Sequence, residues 1–182
     1  IAVCGPVGEY QGLLAGIAGP AQAELRRASG WDANSPGIQD THGLILNALG
    51  RNLEAAAKFY RAAQLQPGDA QAAMRAALAY AEAGHLPESE TSFRLAVERD
   101  PTFDRAWYNL GLLQAQTGRL EDAVASLRRA EKEAPRVADY PYALATVLLR
   151  RADREGAREA ARRALAIEPQ HTGAQQILAT VR

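Results

Sequence analysis

Apolar residues along this chain recur at helical spacing, in pairs of short segments. Between Arg105 and Pro135, one apolar stripe runs through the first half of the segment and a second through the latter half. The first stripe consists of Trp107, Leu110, Gly111 and Gln114, and the second of Leu120, Ala123, Leu127 and Ala130. Side chains three and four positions apart share one face of a helix, so each stripe predicts an amphipathic helix.

The same pattern returns every 34 residues. Prolines end the segments at Pro67, Pro101, Pro135 and Pro169, and an alanine precedes each of them by five positions. Seventeen positions before the prolines stand Gly50, Gly84, Gly118 and Ala152, where a glycine suits the left-handed conformation that ends a helix. Each period therefore predicts a hairpin of two helices with one buried side, and that side needs a neighbouring hairpin.

The chain resembles the tetratricopeptide repeat family in both period and residue type. The resemblance rests on Trp107, Leu110, Gly111, Ala123, Leu127, Ala130 and Pro135. It implies an all-α fold, namely a right-handed superhelical solenoid of antiparallel helix pairs. It covers four repeats, at residues 36–69, 70–103, 104–137 and 138–171. The fourth departs most, with Pro141 at the tryptophan position, where the first helical turn tolerates a proline.

Helices are also predicted at both ends of the array. Residues 1–35 are expected to hold N-terminal helices and a degenerate repeat, because Ala21, Leu25 and Ala28 keep the 34-residue register. Residues 172–182 are expected to form a terminal helix that caps the last repeat.

The resemblance implies that the first helix of each hairpin lines a concave groove, which binds a protein or peptide segment. The candidate groove residues are Met74, Arg75, Leu78, Arg105, Tyr108, Asn109, Leu112, Tyr142 and Thr146, with Asp40, Thr41 and Leu44 in the first repeat. Arg75 and Asn109 suit contacts to a peptide backbone or a carboxylate. Packing between helices, or self-association, stays open as another role for this face. The Lys–Asn clamp of some relatives is not expected, since its positions hold Asp40, Leu44 and Met74.

Charge and composition limit the classes of partner that this chain is expected to bind. The 21 basic and 21 acidic residues give no net charge, which argues against a nucleic-acid or membrane-surface protein. Abundant Ala, and Arg in place of Lys, are typical of a GC-rich bacterial genome. The sequence contains no run of 18 or more apolar residues, the length needed to span a membrane as a helix. Neither cytoplasm nor periplasm is excluded, because a single cysteine says little about redox compartment.

The first residues weakly resemble the end of a bacterial lipoprotein signal, with Cys4 as the acylation site. Val3 stands where a small residue is preferred, and no basic segment precedes it. We therefore favour the simpler interpretation that the chain starts there as a fragment of something larger.

No constellation of catalytic or metal-binding groups is expected. His42, His85 and His171 lie in separate repeats, and no Cys or carboxylate cluster completes a ligand spacing around them. Gly12 and Gly16 are not followed by the Lys-Ser/Thr of a phosphate loop. The sequence thus predicts no cofactor, no metal and no enzymatic activity.

Arginines recur every four residues at Arg154, Arg158 and Arg162, on one face of a predicted helix. A solvated outer face is the simpler interpretation, and docking of an acidic partner or nucleic acid is the alternative.

The function that these observations favour is a non-enzymatic scaffold or adaptor that binds a partner segment in its groove. The alternative is a structural or self-assembling module of a larger bacterial protein or complex. Residues 101–111 and 140–145 are similar to the C-terminal repeat tails of some multi-haem c-type cytochromes, but no haem attachment motif is present.

Overall fold

The computed structural model describes residues 35–181, and every regular element in that range is an α-helix. The helices are α1 (Pro36–Ala48), α2 (Asn52–Leu65), α3 (Ala70–Glu82), α4 (Leu86–Arg99), α5 (Asp104–Gln116), α6 (Leu120–Glu133), α7 (Asp139–Arg150), α8 (Arg154–Ile167) and α9 (Thr172–Thr180). Residues 1–34, with Cys4 and the helices predicted there, lie outside the described residues.

The turns between paired helices each place one residue in the left-handed region. The φ angle is 73° at Gly50, 79° at Gly84, 83° at Gly118 and 61° at Ala152. The next amide then returns to the helix just ended, as where Arg51 N–H donates to Leu46 O at 2.9 Å. Glycine adopts this conformation without penalty, whereas Ala152 is strained in it. The 34-residue period therefore marks the points at which the chain reverses.

Close helix contacts depend on glycines at two equivalent positions of the first helices. A Cβ atom at Gly43 would lie 2.6 Å from the Phe59 ring, and one at Gly111 would lie 2.7 Å from Leu127 Cγ. Real Cβ atoms do not approach that closely, so a side chain here would push the two helices apart. The large residue on one helix is thus accommodated by the missing side chain on the other.

The described helices fall into two compact units, with the boundary between Arg99 and Asp100. One core cluster of the first unit consists of Leu46, Ala55, Ala56, Phe59, Ala76 and Ala79. The Arg99 guanidinium donates to Ala63 O at 2.9 Å and to Asp69 O at 3.0 Å. This side chain therefore ties the end of α4 to the end of α2 and to the turn that follows α2.

In the second unit, α9 packs on the helices before it. Its Ala174 and Ile177 are buried in the same core as Leu127 and Leu148. One side chain differs from expectation, because Trp107 is only half-buried although its stripe was predicted to be buried. Its indole Nε1–H donates to Pro101 O at 3.0 Å, a partner that holds the ring near the surface.

Candidate partner-binding surfaces

Exposed large apolar side chains follow the repeat in the described part of the chain. Leu44, Leu78 and Leu112 are 51%, 37% and 38% exposed, and successive ones are 34 residues apart. They lie on α1, α3 and α5, the first helices of three successive pairs, and Thr146 holds the same position on α7. Single exposed leucines are common, but recurrence at one position of the repeat is not expected from chance. We call these three residues the leucine row.

In the first unit, an ion pair joins the two helices that carry leucines of this row. Arg75 Nε and one terminal nitrogen each lie 2.8 Å from Asp40 Oδ1. Asp40 precedes Leu44 by one helical turn and Arg75 precedes Leu78 by three residues, so both leucines lie beside the pair. Arg75 also lies 5.9 Å from the centre of the Phe59 ring. The guanidinium is therefore already engaged within the unit, and a partner would have to share it.

Met74 is 7% exposed, so it contributes to the interior of the first unit. The Met74 side chain is therefore not accessible to a partner, although the sequence placed it in the groove.

In the second unit, the two predicted groove tyrosines both rest on other rings. The Tyr108 ring lies 4.9 Å from Tyr140, and the Tyr142 ring lies 4.5 Å from His171. Both groove tyrosines are half-buried, so each has one part packed and one part accessible. Burial, with Asp139 and Tyr142 nearby, raises the pKa of Tyr108. The tyrosines therefore act as packing residues that also form part of the surface.

Tyr140 is a residue that the sequence did not single out. It is 4% exposed, and its hydroxyl donates to Asp104 Oδ2 at 2.5 Å. Burial first, and then this hydrogen bond, raise the pKa of Tyr140. Since Asp104 begins α5 and Tyr140 lies on α7, the bond fixes the two first helices of the unit. No signal at the 34-residue period could reveal it, because the partners are 36 residues apart.

Two of the remaining predicted groove residues of this unit have side-chain hydrogen bonds within the unit. Asn109 Nδ2 donates to Arg105 O at 2.7 Å, and Thr146 Oγ1 donates to Ala143 O at 2.6 Å. Arg105 is exposed. Asn109 and Arg75 belong to different units.

The arginine series on α8 is partly engaged. Arg158 donates to Val181 O, and the adjacent Arg163 pairs with Glu131 at 2.6 Å. Arg154 and Arg162 are exposed. These contacts give a structural role to Arg158, which belongs to the series, and to Arg163, which follows Arg162.

The histidines serve local contacts. His171 Nδ1 accepts the Ala174 amide at 3.2 Å and thereby caps α9, while His85 lies 3.5 Å from Glu88. Within residues 35–181, no group of three or more His, Cys, Asp or Glu side chains is placed to hold a metal ion. None of the described helices combines the length and apolarity needed to cross a membrane.

Comparison with known proteins gives the family and the fold. The family model for the tetratricopeptide repeat matches residues 41–103 and 74–138, together more than half of the 182-residue chain. No curated protein matches the sequence. The fold is similar to the crystal structure of MamA protein, with a TM-score of 0.76 and 21% identity over 82% of this chain and 81% of that one.

Two further solved structures are similar. YrrB, described as a TPR protein with an unusual peptide-binding site, has a TM-score of 0.76 and 20% identity, over 91% of this chain and 87% of its own. MamA residues 41-end from Desulfovibrio magneticus RS-1 has a TM-score of 0.69 and 21% identity, over 89% of this chain and 97% of its own. The prediction of an all-α repeat array is confirmed.

Proposed function

Because the chain belongs to the tetratricopeptide repeat family, we propose that it is a non-enzymatic protein-interaction module. It holds an extended or helical segment of a partner protein against its first helices. The observation that carries this proposal is the leucine row, because a large apolar side chain stays 37–51% exposed at the same position of three successive repeats. We also propose that residues 36–171 form four repeats and that the helix after them caps the last repeat.

The accessible part of the leucine row sets the strength of the interaction. Complete burial of an exposed leucine contributes about 1.5–3 kcal/mol, so covering a side chain that is one-third to one-half exposed contributes about 1 kcal/mol. Leu44 and Leu78 in the first unit together give about 2 kcal/mol, and Leu112 in the second unit gives about 1 kcal/mol. Neither amount outweighs the several kcal/mol lost on association. Polar neighbours must therefore add hydrogen bonds to the partner. Tyr108, Asn109, Arg105 and Tyr142 in the second unit supply donors of that kind.

The structural neighbours support the class of ligand. YrrB carries a peptide-binding site by its own description, and its fold is similar to this one. At 20% identity the likeness gives the fold alone, so the binding residues proposed here come from this chain and not from that protein.

A peptide display library tests the proposal, followed by titration of enriched peptides against matched variants. Leu78→Gln should weaken peptides that bind the first unit about fivefold, and Leu112→Gln should do the same for peptides that bind the second unit, the equivalent of about 1 kcal/mol in each case. Leu53→Gln is the control, because Leu53 is 47% exposed on the second helix α2 and lies outside the leucine row. All three should melt close to the wild type, since exposed substitutions change stability by about 0.5 kcal/mol or less.

Two outcomes would overturn the proposal. One is a library that yields no saturable binder. The other is a set of peptides that bind the leucine-row variants as tightly as the wild type, or that lose as much affinity with Leu53→Gln.

A second copy of the chain is the other candidate occupant of the leucine row, as in a self-assembling module or part of a larger complex. The exposed leucines favour this option as well, because a symmetric contact between two copies would bury the same apolar side chains on both of them. Light scattering over a dilution series distinguishes the two. A mass that rises with concentration, and falls back to the monomer in Leu78→Gln, supports self-assembly, and a constant monomer excludes it. Association with a multi-haem cytochrome rests on sequence resemblance alone and is tested by co-purification.

A further inference from the structure

A notch lies in the first unit, on a different side from the leucine row. It is a cavity of about 320 Å³ between α2, α3 and α4. Its lining residues are Tyr60, Tyr80, Pro87, Glu88, Thr91 and Ser92. Tyr80 follows Leu78 by two positions on α3, which turns it about 200° around the helix axis. The notch therefore does not depend on the surface proposed above.

The tyrosine hydroxyls of this notch have unused hydrogen-bonding capacity. Among residues 35–181, neither Tyr60 nor Tyr80 makes a side-chain hydrogen bond, although both are partly buried. Both hydroxyls remain accessible to water, so a ligand in the notch can form hydrogen bonds with them. The aromatic rings add an apolar wall with negative faces.

Glu88 makes the notch electronegative. Its own backbone amide first, and then His85, lower the pKa of Glu88, which keeps the carboxylate ionised at neutral pH. His85 Nδ1 is 3.5 Å from Glu88 Oε1, too long for a strong hydrogen bond. No described arginine or lysine pairs with Glu88. Burial first, and then the nearby Glu88 carboxylate and Tyr60, raise the pKa of Tyr80.

We propose that this notch binds the guanidinium group of an arginine side chain from a partner protein. A planar cation can lie against a tyrosine ring, donate to the Glu88 carboxylate and donate to the tyrosine oxygens. An anionic side chain would be repelled by Glu88. A purely apolar one would leave the carboxylate and hydroxyls covered without partners. A lysine ammonium fits the charge but not the planar contact.

The test compares two tripeptides that differ in charge and not in shape. Acetyl-Gly-Arg-Gly-amide carries the guanidinium, and the same peptide with citrulline in place of arginine carries a neutral urea group. Each is titrated into the protein, to tens of millimolar, while ring signals of labelled tyrosines are followed by NMR. The arginine peptide should shift the Tyr60 and Tyr80 signals saturably, and the citrulline peptide should not.

Variants on α3 and α4 locate the binding. Glu88→Gln should weaken the arginine peptide about threefold or more, as expected for the loss of one surface ion pair. Glu98→Gln removes an equal charge from an exposed position on the same helix and should leave binding unchanged. Tyr80→Leu keeps an apolar side chain without the ring, and should weaken binding as read from Tyr60. Circular dichroism verifies that each variant is folded.

The proposal fails if both peptides shift the tyrosine signals equally, or if neither does. It also fails if Glu88→Gln binds the arginine peptide as well as Glu98→Gln does. These outcomes are independent of the display experiment, because the probe is a tripeptide without leucine and the variants lie outside the leucine row.

Discussion

Replacing Ala152 with glycine is expected to stabilise the second unit. Ala152 is the non-glycine residue with positive φ among residues 35–181, at 61°, in the turn between α7 and α8. The three equivalent turns of the earlier repeats use glycine. Ala152 is exposed, so removal of its methyl group takes away no buried contact. The substitution therefore acts almost entirely on backbone conformation.

Two opposing effects give the magnitude. An L-residue in the left-handed region costs about 1–2 kcal/mol, and glycine removes that cost from the folded state. Glycine also gains about 0.4–1 kcal/mol of backbone entropy in the unfolded state, which works against folding. The folded-state effect is larger, so Ala152→Gly should raise the free energy of unfolding by about 0.5–1 kcal/mol.

Urea unfolding followed by circular dichroism measures the change. The midpoint should rise while the slope of free energy against urea stays constant, because the surface exposed on unfolding is unaltered. Ala125→Gly is the matched control, since Ala125 is an exposed residue inside α6 of the same unit. Glycine at an ordinary helical position should lower stability by about 1 kcal/mol. The same chemical change is thus expected to have opposite signs at the two positions.

A loss of stability in Ala152→Gly equal to that in Ala125→Gly would refute the reasoning. That result would mean that residue 152 bears no left-handed strain in solution and that the helix end is not held by this turn.

Two further predictions concern the second unit. Gly111→Ala should lower stability by up to about 2 kcal/mol. Its Cβ would lie 2.7 Å from Leu127 Cγ, and that overpacking outweighs the roughly 1 kcal/mol that alanine gains over glycine inside a helix. Gly118→Ala, with nothing within 4 Å of the new Cβ, should lose about 1 kcal/mol of stability through the strain of alanine at positive φ, and an unchanged urea midpoint would contradict this. Because the pKa of Tyr140 is raised in the folded state, its stabilisation is complete below the pKa of an unfolded tyrosine and is lost at higher pH. Wild type should therefore lose stability above about pH 10, whereas Tyr140→Phe should lose less, and equal alkaline losses in thermal melts would contradict the assignment.

The sequence predicted the features that repeat and missed the contacts that do not. The 34-residue period identified the turn at Ala152, because a residue that ends a helix recurs at a fixed position. It could not predict the ion pair of Arg75 with Asp40, whose partners come from neighbouring repeats and are 35 residues apart. Arg75 was consequently assigned to a partner's carboxylate, while the structure gives it an intramolecular one. Residue type alone cannot reveal whether a charged side chain already has a partner.

Comparing equivalent positions of the repeats separates packing from binding. The alanines five residues before each closing proline are all buried, at most 2% exposed, and close helix contact accounts for them. The position of Leu44, Leu78 and Leu112 is also retained in three repeats, but its side chains are 37–51% exposed. Helix propensity does not explain this, because arginine, lysine and glutamine form helices about as well as leucine and would be better solvated. An apolar side chain that recurs where packing does not require it indicates contact with another molecule, and this is why the binding proposal rests on the leucine row.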